Sequence, residues 1–268
     1  MILKKILWAI KRHPFLYLTR FRLLSKNSSE NEIKDYSYNL INHKEDIPEY
    51  FKTVNKIIFN DDKPTTDLDT VKKISCWLVN NIKGGPGLSE PSDNALRIML
   101  SGKGGVCSDM AQVFNNFCVI NDIKVREWGI TRIPFDNNYG GHSFNEVYIS
   151  ELNSWVLVDV SYCTMFYLED DKPLSVIELF KHYRDKKNVH YDFFNDSKLF
   201  HDESIKKNYL NCDNVPFLIY NYSNKTYDAF LKTCRPLVPI FIIHFFIYLI
   251  SKSYKYKFPL DNYKKIFS

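Results

Sequence analysis

The segment "GGVCSDMAQVF", residues 104–114, places a cysteine after two glycines and a valine, at the predicted start of a helix. Cys107 lies three residues before Met110, so we expect both side chains on one face of that helix. The positive end of the helix dipole lowers the pKa of a thiol there. We therefore predict a reactive Cys107 and an inert Cys118 within one buried apolar stripe: Met110, Val113, Phe114, Phe117 and Cys118.

A cysteine nucleophile needs a general base, and the base needs a partner that orients it. His142 opens the predicted strand "HSFNEVYI", and Asp159 lies in the following predicted strand, "SWVLVDVSY". If a loop of even length joins these strands, residues whose numbers add to an odd value share a face. His142 and Asp159 meet this condition, which predicts a Cys107–His142–Asp159 triad. Taken singly, each of the two partners is equally well explained as an ordinary residue at a strand end.

These motifs, in this order, resemble a known family. "GGVCSDMAQVFNNFCVINDIKVREWGI" and "GGHSFNEVYISELNSWVLVDVSY" are similar to the transglutaminase-like superfamily, a papain-related α+β fold, from about residue 69 to 165. The resemblance implies a nucleophile helix packed on an antiparallel sheet. It leaves most of residues 166–268 unmatched, and the pattern there predicts a helical C-terminal extension. It also implies that Cys107 is the nucleophile, His142 the general base and acid, and Asp159 the residue that orients the imidazole.

The chain departs from the family pattern at two places. Phe144 stands where a tryptophan is common after the histidine, and Asn121-Asp122 replace the glycine usual before "IKVR". Neither change alters the chemistry implied for the triad. No cofactor or metal is expected, because the acidic pairs of the chain lack the spacing of an EF-hand calcium loop.

The oxyanion hole of such an enzyme combines the backbone N–H of the nucleophile with a second donor. Asn145 and Glu146 follow the histidine and either line the cleft or are ordinary strand residues. The candidates for the second donor lie in the helix predicted from "DTVKKISCWLVNNIKGG": Trp77, Asn80 and Asn81. Trp77 is better explained as a core residue, and the sequence does not decide among the three.

The chain of 268 residues is long enough to bury a full core, and 45% of it is apolar. We divide it into a basic amphipathic element (1–29), a catalytic core (30–165), a helical extension (166–232) and an apolar, basic C-terminal segment (233–268). In the extension, "LSVIELFKHYRD" and "DESIKKNYL" predict helices. None of the six cysteines forms a CxxC pair, which favours reduced thiols in the cytoplasm over a zinc site.

Basic charge is concentrated at the two ends of the chain. Residues 1–29 contain seven basic and no acidic residues, and residues 250–268 contain five lysines and one aspartate. The segment "PLVPIFIIHFFIYLI" (236–250) is nearly all apolar but shorter than the ~20 residues that span a bilayer. It is a buried helix, a membrane-dipping anchor or a short span. We favour peripheral attachment to an anionic inner-membrane surface, against an N-terminal helix packed on the body. No motif indicates a nucleic-acid partner.

A Cys-His-Asp triad attacks a carbonyl carbon and forms a thioester, which an amine or water then resolves. We expect an acyltransferase that joins an amide- or carboxyl-bearing donor to an amine acceptor, in the tailoring of a bacterial cell-surface polymer. A cysteine peptidase or amidase is the alternative. A non-catalytic binding module is the least favoured interpretation, because all three triad residue types are present.

Overall fold

The computed structural model describes residues 21–60, 62–168, 171–195, 201–235 and 237–268. Most of the basic element predicted at 1–29 lies outside these ranges. The helices are α1 (Glu30–Ile33), α2 (Glu49–Phe59), α3 (Asp67–Asn81), α4 (Ser92–Ile98), α5 (Cys107–Ile120), α6 (Val176–Arg184), α7 (Asp202–Tyr209), α8 (Asn224–Cys234), α9 (Ile240–Leu249) and α10 (Tyr263–Ile266).

The strands form one six-stranded sheet in the order β1-β8-β7-β2-β3-β4 and a separate pair, β5-β6. All contacts in the large sheet are antiparallel except that between β1 and β8. The strands are β1 (Ser25–Asn27), β2 (Val125–Arg132), β3 (His142–Ile149), β4 (Ser154–Val158), β5 (Thr164–Tyr167), β6 (His190–Phe193), β7 (Asn214–Tyr220) and β8 (Lys255–Phe258). The architecture is the predicted α+β class.

Helix α5 begins at Cys107, as the sequence predicts. A carboxylate oxygen of Asp109 accepts the N–H of Val106 at 3.0 Å, which satisfies a backbone donor at the helix start. The same oxygen accepts the N–H of Leu88 at 3.2 Å, so it also holds the preceding loop. The predicted apolar stripe is buried along its whole length, with Phe114, Phe117 and Cys118 fully inaccessible. The stripe packs on α2, α3, β2 and β3, and this packing fixes where Cys107 lies.

A close approach of two backbone segments sets the path into α5. Gly84 and Gly105 form an isolated parallel bridge, and the N–H of Gly85 donates to the carbonyl of Gly105 at 2.9 Å. Gly104 has φ +68 and ψ −172, a conformation essentially confined to glycine. A Cβ there would lie 2.3 Å from the carbonyl oxygen of Lys83. The glycines before Cys107 therefore allow two chain segments to touch.

The hairpin of β3 and β4 has the predicted even loop. Ser150–Leu152 form a short 3-10 turn, and Asn153 completes the loop in the left-handed conformation. The register pairs Asn145 with Val158 and Ile149 with Ser154. Extended by one step, this register places Asp159 opposite Phe144, on the face that also carries His142. The prediction that His142 and Asp159 share a face is confirmed.

The region after residue 165 contains the predicted helices, as α6 and α7, and also strands that the sequence analysis did not identify. β7 lies between β2 and β8, so the extension contributes to the central sheet. The first five residues of β7 are buried, and a strand covered on both faces lacks the apolar–polar alternation that reveals strands in sequence. The segment predicted as a helical extension is therefore a mixed one.

A buried ion pair joins the central sheet to the elements around it. Arg126 and Glu146 lie on neighbouring strands, 3.2 Å apart, with side chains 5% and 2% exposed. Glu146 also accepts the indole N–H of Trp128 at 3.0 Å and the N–H of Val176, at the start of α6, at 2.9 Å. The Arg126 guanidinium donates to the carbonyl of Ile33 at 2.8 Å. Of the two roles open to Glu146, the structure shows that of a buried strand residue.

The predicted C-terminal apolar segment forms α9. None of the helices within the described ranges has both the length and the apolar character needed to cross a membrane. Ile243 and Ile247 are buried against the body, while Phe245, Phe246 and Leu249 are exposed.

Replacing Gly104 with alanine tests the close approach before α5. Gly104→Ala forces an unfavourable φ and a clash with backbone, whereas Gly140→Ala has a comparable φ of +75 and no atom within 4 Å. We expect Gly140→Ala to lower the free energy of unfolding by about 1–2 kcal/mol, and Gly104→Ala to lower it by roughly 2 kcal/mol more. Urea unfolding of both variants measures the difference. Equal losses would contradict the backbone contact.

Candidate active site

The structure brings the three predicted triad residues together. His142 Nε2 lies 2.7 Å from Asp159 Oδ2, and the two side chains are 4% and 0% exposed. The Cys107 thiol lies close enough to His142 for the imidazole to lower the pKa of the thiol. Since Nε2 faces Asp159, Nδ1 is the nitrogen left for the thiol. The order sulfur, imidazole, carboxylate is the arrangement that nucleophilic cysteine chemistry requires.

Asp159 is held by three donors and a turn of its own backbone. In addition to the imidazole, the Tyr209 hydroxyl donates to Oδ2 at 2.7 Å and the N–H of Ser161 donates to Oδ1 at 2.9 Å. The N–H and carbonyl of Asp159 exchange hydrogen bonds with Thr164 at 3.0 and 3.2 Å. A buried carboxylate with this set of donors has a fixed position, and so has the imidazole that contacts it.

Tyr209 is the site residue that the sequence analysis missed. It lies at the C-terminal end of α7, 50 residues after Asp159, and its side chain is fully buried. Its spacing in "DESIKKNYL" is that of any core residue of an amphipathic helix. Nothing in the local pattern distinguishes it from an ordinary buried tyrosine.

The imidazole of His142 is enclosed by aromatic rings. Tyr162 is nearly parallel to it at a centroid distance of 5.2 Å, and Phe144 is nearly parallel at 6.3 Å. Tyr209 presents its ring at 87° and 5.9 Å. Phe144, which departs from the family pattern, therefore remains a flat aromatic neighbour of the histidine. These rings restrict rotation of the imidazole and limit the access of water.

The electrostatics of the site favour a thiolate paired with an imidazolium. Burial of the thiol opposes its ionisation, but the hydrogen bond and charge of His142, with the N–H of Ser143, outweigh burial and lower the pKa of Cys107. Burial of the imidazole likewise disfavours its charge, but the charge of Asp159 and its hydrogen bond raise the pKa of His142 well above the usual value. The two shifts have one cause, because each charged group stabilises the other.

Asn145 fastens the nucleophile helix to the sheet. Its amide nitrogen donates to the carbonyl of Ala111 at 3.1 Å and to Asn115 Oδ1 at 2.8 Å, both on α5. Asn115 in turn donates to Glu127 on β2 at 3.0 Å. All three side chains are buried. Of its two possible roles, Asn145 therefore takes the structural one, holding α5 at a fixed height over β3.

The candidates for the second oxyanion donor are not brought together at the sulfur. The side chain of Asn81 donates to the carbonyl of Trp77 at 2.8 Å, and that of Asn80 accepts from Asn195 at 3.4 Å. Both asparagines are exposed. Trp77 is half-buried and packs against the apolar core, as predicted. The identity of the second donor stays a prediction.

The remaining cysteines have other environments. Cys118 is fully buried, and burial raises its pKa well above the usual value, as expected of a core thiol. The thiols of Cys76 and Cys163 contact each other, and Cys76 also contacts the carbonyl of Phe194 at 3.4 Å. Within the described ranges, no cluster of three or more histidine, cysteine, aspartate or glutamate residues is arranged to hold a metal ion.

No curated protein sequence shows significant similarity to the chain. Among solved structures, the chain is similar to one described as "a Putative Cysteine Protease from Cytophaga hutchinsonii", with 19% identity and a TM-score of 0.34. The match covers 50% of this chain and 47% of the other, so the chain spans about half the length of that protein.

A family model described as "Transglutaminase-like superfamily" matches residues 53–160. This range contains Cys107, His142 and Asp159, together with α3, α5 and the β3–β4 hairpin. The match confirms the resemblance found in the motifs and the fold that it implied. The likeness to the transglutaminase-like superfamily thus lies in residues 53–160, the part of the chain that carries the triad.

Proposed function

We propose that this protein is a cysteine acyltransferase that forms an amide through a thioester on Cys107. The observation that carries the proposal is the 2.7 Å contact of His142 with Asp159, beside a thiol whose pKa that imidazole lowers. The thiolate attacks the carbonyl carbon of the donor, and the bond from that carbon to its amine or alcohol group breaks. The imidazolium of His142 gives its proton to the leaving group. An incoming amine then attacks the thioester, loses a proton to His142 and releases the thiolate.

The start of α5 supplies electrostatic support for this chemistry. Cys107 occupies the first turn of the helix, where backbone N–H groups have no partner within the helix. The Cys107 N–H is one donor for the oxyanion that forms on the carbonyl oxygen, and the helix dipole stabilises the same charge.

The enclosure of the imidazole favours transfer to an amine over hydrolysis. His142 is 6% exposed, and Tyr162, Phe144 and Tyr209 surround its ring. A site that limits water lengthens the lifetime of a thioester, which an amine can then resolve. A peptidase or amidase is the alternative, and it would use the same residues with water as the acceptor.

The charge distribution supports a substrate fixed to a surface. Residues 30–249 contain more acidic than basic residues and so tolerate a cationic amine, while the basic ends are suited to an anionic surface. We propose the tailoring of a bacterial cell-surface polymer with an amino compound, by a cytoplasmic protein at the inner membrane.

Substitution of the nucleophile tests the reaction. Cys107→Ala removes the only atom that forms the thioester, so we expect loss of all turnover, while Cys212→Ala, an exposed thiol, leaves turnover unchanged. The wild-type protein is incubated with cell extract, and the acyl group that it traps on Cys107 is identified by intact mass. The acyl-enzyme is then mixed with amines in water. Amide products support the transferase, and release of free acid alone supports the hydrolase. Turnover by Cys107→Ala would contradict both.

The lowered thiol pKa predicts an unusual pH profile. The rate of alkylation by iodoacetamide is proportional to the fraction of thiolate. The pKa of Cys107 is lowered below the usual thiol value of ~8.5, so the rate at Cys107 falls only when the pH drops through that lowered pKa. Replacing His142 with glutamine removes the hydrogen bond and the charge, and the midpoint then rises. Peptide mass spectrometry gives the rate at each cysteine. Equal rates at Cys107 and the buried Cys118, or an unchanged midpoint in His142→Gln, would rule out thiolate activation by the imidazole.

Tyr209 is expected to act as a positioning residue through Asp159. Tyr209→Phe removes a hydrogen bond to a charged group, worth about 1.5–3 kcal/mol, so Asp159 supports the imidazolium less firmly. Because this loss disturbs the group that orients His142, the alkylation midpoint of Cys107 should shift away from the wild-type value.

Tyr38→Phe is the matched control for this substitution. It removes another buried hydroxyl, which donates to Asn116 at 3.0 Å and does not contact the triad. We expect it to lower stability in urea without moving the midpoint. The positioning role is excluded if both variants give the wild-type profile.

A further inference from the structure

The outer face of α9 is apolar and uncovered within the described structure. We use "α9 face" for six residues on and beside this helix: Leu237, Phe245, Phe246, Tyr248, Leu249 and Ile250. They are 38–88% exposed, with Leu237 at 88% and Leu249 at 57%. The helix is anchored from its other side, because Ile243 and Ile247 are buried in the core and His244 contacts the rings of Tyr227 and Tyr254. The helix is thus held in place with its apolar side outward.

Such a face is unusual for a helix in water. A helix that is apolar all round is ordinarily buried, and contiguous exposed apolar surface marks a site of interaction. With ten residues, α9 is far shorter than a bilayer span. A partner must therefore contact the side of this helix, because the helix is too short to cross a membrane.

The rim of the α9 face is basic. A cavity of about 490 Å³ lies against the helix and is lined by Tyr248 and Leu249 together with Lys26 and Lys255. Lys252 is exposed just beyond the C-terminal end of the helix. Residues 229–260 contain no aspartate or glutamate. Apolar surface bordered by lysines, with no acidic residue in the same segment, complements the edge of an anionic lipid layer.

The sequence that precedes Phe21 is also basic and apolar. Residues 1–20 contain five basic and no acidic residues, and they join the described chain at Phe21, two residues before Leu23, which lines the cavity. The chain that lines the cavity is therefore preceded in sequence by a second basic, apolar segment.

We propose that the α9 face docks on an anionic lipid bilayer, with the helix parallel to the surface. The apolar and aromatic side chains enter the headgroup boundary, and Lys26, Lys252 and Lys255 contact lipid phosphates. β1 and β8 border this region, and they form the opposite edge of the large sheet from β4. His142 lies on β3 and Asp159 directly follows β4, so docking at this edge does not involve the triad. The proposal is independent of the chemistry proposed for Cys107.

Sedimentation of the full chain with lipid vesicles tests the proposal. We expect binding to vesicles of equal parts phosphatidylglycerol and phosphatidylcholine, and much weaker binding to phosphatidylcholine alone. The double variant Phe246→Ser with Leu249→Ser should lose at least tenfold in affinity. The matched control is Leu40→Ser with Ile57→Ser, whose side chains are 61% and 59% exposed elsewhere. It should bind as the wild type does.

Charge variants test the basic rim separately. Lys252→Gln with Lys255→Gln should weaken binding to anionic vesicles by about fivefold per lysine. Lys186→Gln with Lys187→Gln changes the net charge equally at another exposed site and should have little effect. The alkylation rate of Cys107 should stay at the wild-type value in all four double variants, which shows that each is folded.

Three results would overturn the proposal. The first is that the Phe246→Ser, Leu249→Ser variant binds anionic vesicles with wild-type affinity. This holds also if deletion of residues 2–20 abolishes binding, because the N-terminal segment would then be the docking element. The second is equal binding to neutral and anionic vesicles. The third is that the wild-type protein forms a dimer and does not bind vesicles, while the Phe246→Ser, Leu249→Ser variant is a monomer. That result would assign the α9 face to a second copy of the chain.

Discussion

The buried carboxylate of Asp159 is the constraint on which the site depends. A fully inaccessible charge is costly unless donors surround it, and here the donors come from three places: His142 on β3, Tyr209 on α7 and the backbone at Ser161. Each donor fixes one element relative to β4. The interaction that orients the histidine therefore also joins the hairpin to the C-terminal helices, and chemistry and architecture share one hydrogen-bonded centre.

The other half of the site depends on how α5 is held. Cys107 sits at the end of a helix whose apolar stripe faces the core, but apolar packing alone allows a helix to slide. The chain of buried amides from Asn145 through Asn115 to Glu127 adds directional contacts between α5, β3 and β2. Together with the glycine bridge at Gly84 and Gly105, these contacts fix the distance from sulfur to imidazole. Thiolate stabilisation by His142 follows from that distance.

The sequence predicted what depends on local periodicity and left out what depends on tertiary pairing. The stripe after Cys107 and the shared face of His142 and Asp159 follow from the periods of 3.6 and 2, so both were accessible. Tyr209 and β7 were not, because a buried tyrosine on an amphipathic helix and a continuous apolar run have several meanings until their neighbours are known. The assignment of Asn145 likewise needed its partners on α5.

The arrangement of the sheet separates two surfaces with opposite requirements. The triad must be reached by a polar acyl donor and an amine, and it lies where α5 packs on β3, the strand next to β4. The α9 face needs a partner that covers apolar side chains, and it lies beside β1 and β8, at the far edge. Because β7 and β8 come from the C-terminal part of the chain, that part both completes the sheet and sets the spacing between the surfaces. An enzyme held at a lipid surface by the α9 face would keep its triad near the edge of the sheet that is away from the contact.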